Sequence, residues 1–173
     1  MKALRTTFIF SIVIGALVAT SVFAQKASFS DPNVDYGFDL PDPKWKMTVK
    51  PSATSPNVEY VFGDRNDGHL EVRRLTVGSN TIMSDIIRQE EDKLRFLQNY
   101  VAGREENFRG SLPGNAFNFE FTRGGRLMSG RFYFLRADDT TVYVLRFTGQ
   151  SERIKPIRNQ TDSIARTFSV KKA

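Results

Sequence analysis

Residues Ala116–Thr148 read AFNFEFTRGGRLMSGRFYFLRADDTTVYVLRFT, and their alternation decides the fold. Arg123-Gly124-Gly125-Arg126 sets two glycines between alternating runs. A two-residue primed turn needs positive φ, which glycine adopts without steric cost. That turn pairs Phe121 with Met128, Phe119 with Gly130 and Phe117 with Phe132. A second turn centred on Asp138-Asp139 pairs Phe134 with Tyr143, Phe132 with Leu145 and Gly130 with Phe147. Together the two registers predict one apolar face made of Phe117, Phe119, Phe121, Met128, Phe132, Phe134, Tyr143, Leu145 and Phe147. A slip of one residue in either hairpin would scatter this set over both faces. Gly130 then lies between Phe119 and Phe147, and rings closing over it account for a glycine inside a strand.

The opposite face is mixed. Tyr133, Leu135, Val142 and Val144 occupy one end of it. Asn118, Glu120, Ser129, Arg131 and Arg146 occupy the other. A sheet apolar on one face and half apolar on the other predicts helices on both sides, one covering only part of its face. The expected class is α+β, a single antiparallel sheet flanked by helices as an α-β-α sandwich.

Met1–Ala24 has the pattern of a secretory leader. Lys2 and Arg5 precede the apolar run Phe8–Ala19, and Val22-Phe23-Ala24 fits a small-residue cleavage site. The alternative is an uncleaved anchor, although the run is short for a bilayer. Cleavage would make Gln25 the first residue, leaving 149 residues (173 − 24) and a formal charge of +4 (+6 − 2). A chain that long buries roughly 70% of its unfolded surface, enough for one unaided core. The sequence has no cysteine, so neither disulfides nor lipid attachment at cysteine are available. The charges are interspersed, as on a solvated surface, and predict no nucleic-acid groove. No transmembrane segment is expected in the processed chain.

Gln25 to about Val34 reads as a flexible lead-in, residues 35–170 as the domain and 171–173 as a tail. Tyr36–Leu40 and Trp45–Val49 read as strands separated by Pro41-Asp42-Pro43. Trp45, the one tryptophan, reads as a core plug. Val58–Phe62 and His69–Val77 form a hairpin, with a β-bulge where alternation breaks at Arg73-Arg74. Between them Asp64, Asn66, Asp67 and Gly68 lack the ligand order of a calcium loop and read as a turn. Thr81–Val101 is predicted as a helix from Met83, Ile86, Ile87, Leu94, Leu97 and Val101, started by Ser79, Asn80 or Ser84 and ended by Gly103. Arg104–Asn115 is a strand or loop, with Glu105 and Glu106 read as solvated. Ser151–Phe168 is a second helix, since Pro156 is tolerated near its start. Phe168-Ser169-Val170 reads as a short closing strand.

Chemistry is narrowly bounded. His69 is the single histidine, which excludes histidine-rich zinc sites and, with no cysteine, Cys/His catalysis. Beside a hairpin turn it reads as an exposed polar residue. No G-x-S-x-G elbow and no phosphate-binding glycine loop occur. Glu120 is the best candidate acid of a carboxylate pair, because it lies mid-strand. Its structural alternative is an ion pair with Arg131 or Arg146.

The order of features resembles the PsbP-like superfamily. The resemblance rests on Tyr36-Gly37-Phe38-Asp39-Leu40-Pro41 with Trp45 soon after, and on a long helix following a hairpin. It continues through the strands Arg131–Leu135 and Val142–Gly149 to a closing helix ending Ile164-Ala165-Arg166-Thr167-Phe168. It spans about Asp35–Val170. It implies an antiparallel sheet between helices, in a family of adaptors and assembly factors that are largely not enzymes. It carries over no functional residue.

Two function classes follow. One is an exported binding or accessory module with no cofactor, recognising a protein partner or a small anionic ligand. The other is a hydrolase using Glu120 and a second carboxylate. A deep cleft with facing carboxylates would mark the second, and a shallow groove at a helix–sheet edge the first. In the expected register Arg131 faces Arg146, with Asn118 and Glu120 beside them. Two arginines so placed repel and should receive a carboxylate or phosphate. The candidate binding residues are therefore Arg131, Arg146, Glu120 and Asn118.

Overall fold

A computed structural model describes residues 27–171. The predicted leader and its cleavage site lie outside these residues. The strands are β1 (Ala27–Ser30), β2 (Tyr36–Leu40), β3 (Trp45–Val49), β4 (Val58–Phe62), β5 (Asp64–Thr76), β6 (Val101–Arg109), β7 (Pro113–Arg123), β8 (Arg126–Arg136), β9 (Thr141–Gln150) and β10 (Ser169–Val170). Helix α1 (Met83–Leu94) lies between β5 and β6. After β9 come α2 (Ser151–Ile154), a 3-10 turn at Lys155–Ile157 that accommodates Pro156, and α3 (Arg158–Thr167). Antiparallel pairing builds a seven-stranded sheet in the order β3-β4-β5-β9-β8-β7-β6 and a three-stranded sheet β1-β2-β10.

The Gly-Gly hairpin forms in the expected register: Phe121 faces Met128, Phe119 faces Gly130 and Phe117 faces Phe132. Gly124 and Gly125 both have positive φ, 57° and 74°. The second hairpin is shifted by one residue. Ala137 N donates to Thr141 O, which leaves Asp138, Asp139 and Thr140 as a three-residue loop. Asp138 Oδ1 accepts from Thr140 N at 2.8 Å and sets that loop. The pairs are therefore Phe134 with Val144, Phe132 with Arg146, Tyr133 with Leu145 and Arg131 with Phe147. Tyr143, Leu145 and Phe147 move to the face opposite the one expected, and Val142 and Val144 replace them.

The core is divided accordingly. Phe117, Phe119, Phe121, Met128, Phe132, Phe134, Val142 and Val144 pack with Ile86, Ile87 and Leu94 of α1. Tyr133, Leu135, Tyr143, Leu145, Phe147, Leu70 and Val72 pack with Ile154, Ile164 and Ala165 and with Phe29, Tyr36, Phe38 and Phe168. The fold is thus mainly antiparallel sheet, and on this second side a small sheet shares the covering layer with helical residues. Trp45 is a core residue, and its Nε1 donates to Gln160 Oε1 at 3.0 Å.

Four further expectations are corrected. The lead-in contains a strand, because Phe29 is buried against Phe38 at 4.9 Å between ring centroids. Helix α1 begins without a side-chain cap after Ile82 and stops at Leu94. Asn99 then takes a left-handed φ of 52°, and Val101, although at helical spacing, starts edge strand β6. No bulge occurs at Arg73-Arg74: β5 runs unbroken along β9, and its register shift with β4 falls at Val61/Phe62. The alternation appears broken because Leu70 and Val72 serve one core and Leu75 the other. His69 is buried, with Nε2 2.7 Å from Glu59 Oε2, rather than exposed.

Candidate functional site

The covering of the large sheet is incomplete along β6 and β7. There a groove of about 290 Å³ opens between the β6–β7 strands and the α2–α3 segment. Val101, Ala102, Phe147 and Ile154 supply apolar lining; Glu120, Arg131, Lys155 and Arg158 supply charge. Val101 is 60% exposed, a large apolar group left open by the short covering segment.

Every charged side chain in the groove is matched. Lys155 Nζ donates to Glu120 Oε1 at 2.8 Å, and Ser129 Oγ donates to the same oxygen at 3.3 Å. The hydrogen bond from Lys155 holds the Glu120 carboxyl below the usual glutamate value, so the group is ionised at neutral pH. Ser129 Oγ is also 2.7 Å from Ser151 Oγ, which ties the start of α2 to β8.

Arg131 is the hub of a second cluster. Nη1 donates to Asn118 Oδ1 at 2.7 Å, the cross-strand pairing expected from the sequence. Nη1 and Nη2 both donate to Glu106 Oε2 at 3.3 Å, and Nε donates to Tyr133 Oη at 2.8 Å and Asp162 Oδ1 at 3.2 Å. The Tyr133 hydroxyl donates to Asp162 and lies 3.0 Å from Thr161 Oγ1. Burial raises the Tyr133 pKa, keeping its proton available for that bond. Arg158 Nη2 adds a bond to Glu106 at 3.3 Å. The guanidinium of Arg131, 11% exposed, thereby joins β6, β7, β8 and α3.

Three of the four candidate binding residues, Asn118, Glu120 and Arg131, line the groove. Arg146 does not. The one-residue shift turns it to the face of Phe132, where its guanidinium lies 4.7 Å from the ring centroid and Nη1 donates to Glu71 Oε2 at 3.2 Å. The two guanidinium forks cannot meet on one anion. Nor does Glu120 pair with either arginine, since Lys155 takes that place. Glu106, read as solvated, instead receives Arg131 and Arg158; reading residues 104–109 as a strand against β7 would have put it on the Arg131 face. Val101 and Lys155 carried no comparable signal. Asp64, Asn66, Asp67 and Gly68, expected as a turn, instead open β5, the chain reversing at Gly63 with φ 68°; Asp64 Oδ1 accepts from Asn66 N at 2.6 Å. Among the described residues no cluster of three His, Asp or Glu is placed to hold a metal, and no helix is long and apolar enough to cross a membrane.

No family model and no curated protein matches the chain. Solved structures do. Cyanobacterial PsbP (CyanoP) from Synechocystis superposes with a TM-score of 0.57 at 16% identity, over 91% of this chain and 98% of that one. LpqN of Mycobacterium tuberculosis, described as involved in cell envelope biogenesis, gives 0.55 at 14% over 86% and 91%. A protein from Bacteroides thetaiotaomicron gives 0.58 at 13% over 86% of this chain, which spans about half (49%) of that longer one. The fold therefore resembles that of PsbP, as the order of sequence features implied.

Proposed function

We propose that this chain is an exported, non-enzymatic accessory module that binds a segment of a partner protein in the groove beside β6. The carrying observation is the groove itself: apolar lining, with each of its charges already paired. Of the two occupants expected, a small anionic ligand would have to displace Glu120 from Lys155 or Glu106 from Arg158. A partner segment presenting an apolar side chain displaces only water. β6 is also an edge strand of the seven-stranded sheet, so an extended segment can lie along it by backbone hydrogen bonding. The volume, near the low end of small-molecule sites at roughly 300 Å³, suits one side chain rather than a large cofactor.

Hydrolysis by Glu120 finds no support in this geometry. Glu120 is the one carboxylate lining the groove, and Lys155 keeps it ionised, which opposes a general-acid role. The structural resemblance to PsbP and to an envelope-biogenesis protein supports an accessory role outside the cytoplasm, in line with the predicted leader. Intact mass of the exported protein should place its start at Gln25.

The test is partner capture from the native envelope by the wild-type protein and by Val101→Asp, identified by mass spectrometry. A partner captured by the wild type, lost from the variant and protecting β6 amides from hydrogen exchange supports the reading. A partner retained by a folded Val101→Asp protein refutes it.

A further inference from the structure

At one end of the large sheet the link between α1 and β6 is bonded to the tip of the β7–β8 hairpin. Thr122 N donates to Gln98 O at 2.7 Å, and Asn99 Nδ2 donates to Thr122 Oγ1 at 3.2 Å. Leu97 turns inward onto the core around α1. Its neighbour Phe96 turns outward and is 93% exposed. Leu127, paired with Thr122 across the hairpin, is 54% exposed. Neither exposed side chain is explained by packing within the chain, and isolated solvent exposure of a whole phenylalanine ring is unfavourable.

Charges of both signs surround these residues, and two of the cations stand without an acidic partner among the described residues. Arg123 and Arg126 are exposed and directly opposite one another. Neither has an acidic partner within ion-pair distance among the described residues, whose ion pairs involve other cations. Like charges so placed are destabilising, so the turn geometry of Gly124-Gly125 does not account for them. Arg95, beside Phe96, is held by Glu91 at 3.9 Å and Asp92 at 3.3 Å. Glu152 and Arg153 line a shallow depression with Arg126 and Leu127, and Arg153 reaches Asp67 at 4.0 Å.

We propose that this end of the molecule docks on an anionic lipid surface, with Phe96 and Leu127 entering the interface and Arg123 and Arg126 holding lipid phosphates. Apolar side chains on projecting turns, rimmed by arginines, suit a deformable and uniformly anionic surface, which demands no matching shape. A second copy of the chain is disfavoured, because opposed tips would place arginine against arginine. The proposal shares no residue with the groove and stands independently of it.

The absence of cysteine makes a site-specific test clean. The processed chain from Gln25 onward carrying Phe96→Cys, labelled with an environment-sensitive fluorophore, is mixed with vesicles of phosphatidylglycerol and phosphatidylcholine, or of phosphatidylcholine alone. A label at Lys46→Cys, on the opposite edge strand β3, is the control. The expected result is a blue shift at position 96 on anionic vesicles and none at position 46. In co-sedimentation of the unlabelled protein, Arg123→Gln and Arg126→Gln each weaken anionic-vesicle binding about fivefold, and Phe96→Ser weakens it roughly tenfold or more. An unshifted label at position 96 overturns the proposal, even where the protein sediments through another segment. So does a salt-resistant dimer, seen by ultracentrifugation, that Phe96→Ser abolishes.

Discussion

Gly130 lies directly under the Phe119 ring: a Cβ built on Gly130 would come within 2.1 Å of Phe119 Cζ. The expected contact with Phe119 is present, whereas Phe147 lies on the other face. Because β8 is a strand, replacing its glycine ordinarily favours the fold. Here overpacking dominates, and Gly130→Val should destabilise by about 1–3 kcal/mol in chemical denaturation. A raised melting temperature would contradict the register.

The two arginines once expected to act together should separate on mutation. Arg131→Met removes the donor to Asn118 Oδ1 and leaves Asp162 with Tyr133 Oη and Glu106 with Arg158, so it should cost about 2–3 kcal/mol, less than for a fully buried pair. Arg146→Met loses one partly exposed ion pair and a cation–π contact and should cost about 1 kcal/mol or less. Equal losses would be inconsistent with the observed networks.

Glu120 should titrate below the ordinary glutamate value of 4.5, by carboxyl NMR, and Lys155→Met should move its midpoint back up. The sign for stability follows from the lowered folded-state pKa. The contribution of this pair is present above the unfolded value and is lost as pH falls through the folded one. A midpoint indifferent to Lys155→Met would remove the pairing.

At the alkaline end Tyr60 is informative, because burial pushes its pKa up to about 12 from 10.0. A raised tyrosine pKa stabilises the fold fully below the unfolded value, and this stabilisation is lost as pH rises through the folded one. Denaturation midpoints should therefore decline above about pH 10, and Tyr60→Phe should reduce that decline. Ultraviolet titration of the folded protein showing ordinary ionisation of every tyrosine would exclude the effect.

What was legible in the sequence tracks how strongly local chemistry constrains the chain. Gly124-Gly125 permits one short turn, so the first hairpin, the Asn118–Arg131 pairing and the Gly130–Phe119 contact were readable. Asp138-Asp139-Thr140 fits either a two- or three-residue loop, and the apolar residues of β9 occupy both faces, so alternation could not choose. That single residue put Arg146 on the wrong face. Leu97 and Val101 continue the periodicity of α1, but the left-handed turn at Asn99 has no glycine to announce it. Glu90 of α1 is buried within 3.8 Å of Arg73 on β5, a partnership that depends on tertiary placement and has no local signal. The groove arises where the α2–α3 segment fails to cover β6 and β7, and such a gap depends on tertiary placement alone.

The three-stranded sheet joins distant parts of the chain: Val170 pairs with Tyr36, and Phe168 stacks on the Tyr36 ring at 5.3 Å. These partners are 134 residues apart in sequence (170 − 36). Contacts so remote contribute little to an early nucleus and slow its completion. A chain delivered N-terminus first, from a ribosome or through a translocation pore, must wait for its final strand before this sheet can close. Until then Tyr36 and Phe38 lack the Phe168 ring that stacks on both of them.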